Sequence, residues 1–380
     1  MTENNKNLGI DGFDPSKVNK LSAKEILKRV GPGIVLTGVV IGPGNITTSA
    51  MIGANYGYSL IWLIIPILIM GVTFMLTSYR ISMLTGMPIL HAIRHYYGKV
   101  ASGFCGVALF LSCLFFTLGN ISGTGAGMNL VFGINWKLGA LIMLAVLTVL
   151  YFSKGVYSKV EKGILVCIIA MIFAFYATLV ATGGPDWGAM GHGLTHWSVP
   201  EGSLTTALAY ISTNAAVTAG IYGTYLGAEK KWKKEDLFNG AMKWDAIAHI
   251  VSVILISGAI MLVGAIVLNP QGIQIKAPAQ LAALLVPFLG KASNIVMGVA
   301  LLGAGFSSLL GNTQRGMVLL SAGFDKDVAL ESKLIRWGCM ITLAFACVVC
   351  FIYDGSPTQL IFIANIATCL LYTSDAADDL

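Results

Sequence analysis

Three asparagines, Asn45, Asn214 and Asn365, lie in apolar stretches of this 380-residue chain, and two of them flank places where such a stretch cannot stay helical. Asn45 closes the run Gly42-Pro43-Gly44-Asn45 within VVIGPGNITTSA (Val39–Ala50). Asn214 lies in AYISTNAAVTAGIYGTYLG, whose centre from Ser212 to Gly220 is small and polar. With Thr47, Thr48, Thr213 and Thr218 they offer a neutral, oxygen-rich lining. Amide and hydroxyl oxygens, together with carbonyls freed by a broken helix, are hard ligands suited to a cation that keeps much of its water, such as Mg²⁺. A neutral or zwitterionic solute would fit as well, and any one such residue also serves as packing glue between membrane helices.

Charged chemistry is sparse. No Asp or Glu occurs between Glu25 and Glu161; Glu161 and Asp245 fall at inner helix ends and Asp354 just past the ninth apolar run. A bare Mn²⁺ or Fe²⁺ at mid-membrane without a carboxylate would be poorly compensated. Asp245 and His249, four residues apart, share a helix face and could form a gate or a proton-accepting pair, or simply a polar helix entrance. Arg315 lies in the inner third of the eighth run. It either snorkels to the interface or faces the cavity, where it would repel cations and favour an anionic solute. The seven cysteines lie in apolar segments without metal-ligand spacing and read as packing residues. No nucleophile–base set or cofactor motif is present, which argues against an enzyme and for no cofactor.

These residues need a membrane scaffold. The chain is 56% apolar and 11% charged, against roughly 25% charged in soluble domains. Runs of about 20 apolar residues recur, each able to cross about 30 Å of hydrocarbon. The predicted spans are about 32–56, 59–79, 100–122, 138–153, 163–182, 204–227, 245–268, 292–320 and 334–353, with a tenth from Leu360. Of 24 lysines and arginines, 21 fall on the side of Met1 and only Lys137, Lys276 and Lys291 on the other. That bias puts the N-terminus in the cytoplasm of a multi-pass plasma (inner) membrane protein. It also makes the net charge of +6 an orientation signal rather than a nucleic-acid surface. Residues 1–30 read as a cytoplasmic tail without a cleavable signal, and 31–370 as the transmembrane domain. The acidic stretch 371–380 reads as a non-native tail of translated adapter sequence, interrupting a tenth span that continues in the natural protein. No obligate protein partner is implied beyond the lipid bilayer.

The two broken runs stand about 170 residues apart and each precedes a related segment, NYGYSL (Asn55–Leu60) and IYGTYL (Ile221–Leu226). Matching discontinuous helices divide the chain into five-helix halves, about 31–182 and 204–370, the pattern of an inverted-repeat secondary transporter. Non-helical backbone at membrane depth persists only where it lines a cavity or meets a ligand. The first half-helix is expected to end near Ile41 and the second to begin near Ile46.

GPGIVLTGVVIGPGNITTSAMIGANYGYSLIW (Gly31–Trp62), KWDAIAHI (Lys243–Ile250) and LLGAGFSSLLGNTQRGMVLLSAGF (Leu301–Phe324) resemble the Nramp family of divalent-metal transporters. The resemblance implies an all-α integral membrane protein of the LeuT type: an inverted repeat of two five-helix halves with discontinuous helices 1 and 6. It implies alternating-access transport of a divalent metal cation. It places Gly42 where the family carries the Asp of Asp-Pro-Gly-Asn, and Val217-Thr218-Ala219 where it carries Met-Pro-His. Asn214 falls on a backbone-carbonyl ligand position and Asn365 on a tenth-helix Gln. The acidic positions of the third helix fall near Asn120 and Gly123. The candidate substrate-binding residues are thus Gly42, Asn45, Asn214, Val217, Thr218 and Asn365, with Asn45, Asn214 and Asn365 as metal ligands and Asp245, His249 and Arg315 as gate or proton relay. The missing soft sulfur ligand and missing carboxylate set this chain apart from a proton-coupled transition-metal carrier. The alternatives are a carrier of a small organic or anionic solute, or a non-transporting sensor.

Overall fold

A computed structural model describes residues 14–152 and 157–373, without the side chains of Ser16, 157–167 and 369–373. Glu161, Cys167, Cys369 and the segment 374–380 therefore fall outside what is described structurally. All regular structure among the described residues is helical. After the short α1 (Ala23–Arg29), the first half begins with α2 (Pro32–Val40) and α3 (Pro43–Tyr56), one span bent by 64° at its break. It continues with α4 (Ile64–Thr85), α5 (Ile89–Phe132), α6 (Trp136–Phe152) and α7 (Tyr157–Ala181). Outside the membrane-spanning set, α8 (Trp187–Thr195) leads to the second half. There α9 (Leu204–Asn214) and α10 (Val217–Glu229) form the second broken span, followed by α11 (Lys234–Phe238) and α12 (Ala241–Val263). The short α13 (Pro278–Ala283) and α14 (Val286–Leu289) precede α15 (Ser293–Gly323), α16 (Lys333–Ile352) and α17 (Pro357–Thr373). The order of a broken helix and four further spans thus occurs twice, as the LeuT-type inverted repeat requires.

The breaks sit slightly off their expected registers. The second half-helix starts at Pro43 rather than near Ile46. Proline fits the first helical position because the N–H it lacks would have no partner there anyway, and its fixed φ is already helical. The sixth span breaks only over Ala215–Ala216, so Ser212–Asn214 close α9 and Val217–Gly220 open α10. The tenth helix starts at Pro357, three residues before the expected Leu360.

The molecule carries its apolar residues outward and many polar ones inward. Ile69, Phe173, Val180, Ile341 and Ile352 are exposed, whereas Asn45, Thr47, Thr48, Thr213, Asn214, Asn312 and Asn365 are buried. Such an exterior needs lipid to cover it. Of the cysteines, Cys113, Cys339, Cys347 and Cys350 are buried in the packing.

The third helices of the two halves, α5 and α15, run side by side through the centre. Paired glycines let their backbones touch: a Cβ on Gly106 would stand 2.9 Å from Gly323 Cα, and one on Gly127 2.8 Å from Gly298 O. Without a hydrophobic drive between helices in lipid, such close approach supplies dispersion contacts along the whole pair. Gly106→Val is expected to cost about 1–3 kcal/mol of stability through overpacking, read as a lower thermal midpoint. Gly103→Ala should be near neutral, since its nearest neighbour would be Phe324 at 3.5 Å.

Candidate ion site at the paired helix breaks

The two breaks face each other and are stitched by side-chain amides. Asn45 Nδ2 donates to Asn214 Oδ1 at 2.9 Å, and Asn214 Nδ2 donates to Tyr210 O at 2.7 Å. One turn along α3, the hydroxyls of Thr48 and Thr213 meet at 3.3 Å. The tenth helix closes the third side: Asn365 Nδ2 donates to Gly44 O at 3.2 Å, while Ser212 Oγ donates to Asn365 O at 3.1 Å. Gly44 has to be glycine for this, since a Cβ there would meet Asn365 Oδ1 at 2.8 Å. After these bonds are made, Asn45 Oδ1 and Asn365 Oδ1 remain buried acceptors with no partner, as does the hydroxyl of Thr218. Of the predicted substrate-binding residues Asn45 lines the central cavity, whereas Gly42, Asn214, Thr218, Asn365 and the half-buried Val217 do not; the wall beside Val217 is Ala216.

Gly42 shows why no larger residue stands at the first break. A Cβ on it would lie 2.6 Å from Asn120 Oδ1 and 2.5 Å from Ser308 Oγ. The space beside the break is thus filled from α5 and α15 by an amide and a hydroxyl. Gly123 makes similar room for the Pro43 ring, which a Cβ would approach to 2.1 Å. What remains is a cavity of about 10 Å³ lined by Val40, Asn45, Asn120, Thr213, Asn312 and Arg315 among others. That is about the room one water-sized particle requires.

Arg315 does not snorkel. It is 1% exposed, and its guanidinium lies in the cavity wall. Its Nη2 donates to Asn312 Oδ1, its Cζ sits 5.8 Å from the centre of the Phe116 ring, and Nε and Nη1 have no partner. Among the described residues no carboxylate pairs with it.

Asp245 and His249 lie apart from this cavity, at the start of α2. Asp245 Oδ1 accepts from Gly31 N at 2.9 Å, and Oδ2 accepts from Gly33 N at 2.9 Å and from the Tyr79 hydroxyl at 3.1 Å. A carboxylate here answers two of the N–H groups that a helix start leaves free and meets the positive end of its dipole. His249 Nδ1 lies 2.8 Å from Thr37 Oγ1 and 3.1 Å from Gly33 O. Arg29 with Asp236 at 3.2 Å, and Trp232 Nε1 donating to Arg29 O at 3.3 Å, extend the same latch. At the other end of the first span a vestibule of about 380 Å³ is lined by Met51, Asn55, Lys276, Tyr353 and Thr358.

The chain as a whole has known relatives. The family described as natural resistance-associated macrophage protein-like, Nramp, matches residues 33–374. This chain belongs to the Nramp family. It is similar to the divalent metal cation transporter MntH of Agrobacterium fabrum, 27% identical over 375 residues, covering 91% of this chain and 79% of that protein. MntH of Mesorhizobium japonicum is 26% identical over 328 residues, covering 81% of this chain and 69% of its own length. The crystal structure of a manganese transporter of Eremococcus coleocola superposes with a TM-score of 0.72 at 17% identity, covering 94% of this chain and 80% of that one. That likeness shows the fold, including its LeuT-type repeat.

Within this Nramp chain, the amides of Asn45, Asn214 and Asn365 come together, while Asp245 and His249 form a separate latch. Phe116, Asn120, Ser308 and Asn312 were not among the predicted site residues. The signal for them was present: Ser308, Asn312 and Arg315 fall on one face of α15, and Phe116 and Asn120 on one face of α5, polar positions at membrane depth. No group of three His, Cys, Asp or Glu side chains is placed to hold a metal among the described residues. Asp245→Ala is expected to strand the Gly31 and Gly33 amides, costing about 3 kcal/mol. It should also raise thiol labelling of Val40→Cys from the α2 side; unchanged labelling would count against the latch.

Proposed function

We propose that this chain is a secondary transporter carrying a divalent metal cation across the plasma membrane by alternating access, with its N-terminus in the cytoplasm. The observation that carries the reading is the pair of facing helix breaks bridged by Asn45 and Asn214 inside a family of transporters. The relatives' names supply the cargo class, and the local chemistry narrows it. Asn45 Oδ1 in the cavity lining is a hard acceptor without a partner, Asn365 Oδ1 is a second one beside Gly44 outside that lining, and no sulfur ligand lines the cavity. Such a set suits the oxygen-preferring end of the divalent series, Mg²⁺ or Mn²⁺. An organic solute is disfavoured because about 10 Å³ of space admits only an ion or a water.

The cycle follows from the two ends of the first span. With the Asp245 latch closed and the vestibule at Met51 and Asn55 on the opposite face, the conformation is closed toward the N-terminal side. Releasing Asp245 frees α2 to swing about Gly42 while α3 stays held by α9 and α17. Because no carboxylate lines the cavity, protons would have to engage the Asp245–His249 end instead. For orientation, setting aside the buried Arg315 from the 21 basic residues leaves 20 on the Met1 side against 3.

Reconstituted in liposomes, the protein should take up Mg²⁺ or Mn²⁺ down an imposed gradient. Asn45→Ala should lower that flux about tenfold, equivalent to about 1.4 kcal/mol of lost ligation. Absence of Mg²⁺, Mn²⁺ and Ca²⁺ flux under every gradient would overturn the reading.

A further inference from the structure

The central cavity is built for both signs of charge. Against the unpaired acceptor of Asn45 stands the Arg315 guanidinium, 1% exposed, with Nε and Nη1 unpartnered. The guanidinium bonds the neutral Asn312 amide and the Cys113 thiol, neither of which carries a compensating negative charge, and Phe116 covers it with a ring face. The same cavity touches Gly44 and Asn45, the second and third residues of the 14-residue α3. The N–H groups there have no intrahelical acceptor, and the helix dipole is positive at that end. The guanidinium and a helix N-terminus therefore converge on one small space with no carboxylate in its lining.

From this convergence we propose that the cavity binds one small monovalent anion, of halide size, between the Arg315 guanidinium and the N-terminus of α3. A buried guanidinium with two idle donors is costly, and an anion there would satisfy both through charge-assisted hydrogen bonds. The volume of about 10 Å³ limits the occupant to a single-atom ion or one of similar size. Its role rests on the transport reading: held at Arg315 in this conformation, whose cavity has room for one particle, the anion would neutralise the guanidinium, and a divalent cation would meet it only in a conformation that opens the space beside Asn45. The binding itself does not depend on that reading.

The test uses the purified full chain, free of metal, in sodium gluconate. Radiolabelled chloride should bind saturably at one per chain, and chloride should raise the thermal midpoint above that in gluconate at equal ionic strength. Arg315→Gln should weaken chloride binding at least tenfold, while Arg315→Lys, which keeps the positive charge, should retain more of it than Arg315→Gln. Absence of saturable chloride binding to the unaltered protein overturns the proposal whether or not either variant folds, and so does undiminished binding to folded Arg315→Gln. Metal flux measured on the same preparation separates the two readings: flux without chloride binding sinks the anion site alone, and chloride binding without flux sinks the transport reading alone.

Discussion

Peptide groups that leave a helix inside a membrane have no water to turn to, and this constraint organises the whole molecule. Two helices are interrupted at the same depth, so two sets of bare carbonyls and amides must be answered by protein. Around the breaks side chains brace the elements instead: Asn214 takes a bond from Asn45, Asn365 donates to the Gly44 carbonyl in the first turn of α3, and Ser212 donates to the Asn365 carbonyl. Each bond links a different pair of elements, so α3, α9 and α17 are held around the breaks as one unit. The remaining partner, α2, is tied at its start to Asp245 and His249 of α12 and near the break by Ser307 of α15 donating to the Gly38 carbonyl, so it is braced by helices other than the α3, α9 and α17 unit.

Close packing then does what charge does elsewhere. Glycines at 42, 44 and 123 admit Asn120, Ser308, Asn365 and the Pro43 ring to within contact of the breaks. A bulkier residue at any of the three would push a polar group away from the backbone that needs it. The glycine pairs between α5 and α15 set the width of the shared wall from which Asn120, Ser308 and Asn312 reach inward. Stability and site geometry therefore draw on the same small residues.

Much of this was legible in the sequence because the signals were strong of their kind. Gly42-Pro43-Gly44 cannot continue a helix, and the apolar runs were long enough to count. The register at Pro43 was misplaced by three residues because proline was read as part of the break, although it is also a good helix start. At the sixth helix nothing but small residues marked the gap, so its width was overestimated until α9 and α10 narrowed it to Ala215–Ala216. Arg315 was ambiguous for a different reason. Its position along the span fits either snorkelling or burial, and only the packing of Phe116 and Asn312 around the guanidinium decides between them. Asn120 stood out only as an aligned third-helix position and Asn312 only as a polar residue on the Arg315 face, and their shared place in the lining becomes visible once α5 and α15 are known to touch.

The buried arginine also sets the electrostatic terms on which any cation enters. At an effective dielectric of about 20, two unit charges about 5 Å apart repel by about 3 kcal/mol, and a divalent ion doubles that. Two neutral amide oxygens cannot by themselves offset a penalty of that size and the loss of hydration as well. Either the guanidinium swings aside, which its enclosure by Phe116 and Asn312 opposes, or negative charge arrives from outside the chain. A site that has exchanged a covalently held carboxylate for a space beside Arg315 would thus have its cation affinity set by what anion is in solution. On the proposed anion site, that dependence would tie a break without an acid at Gly42 to the guanidinium of Arg315 in the cavity beside Asn45.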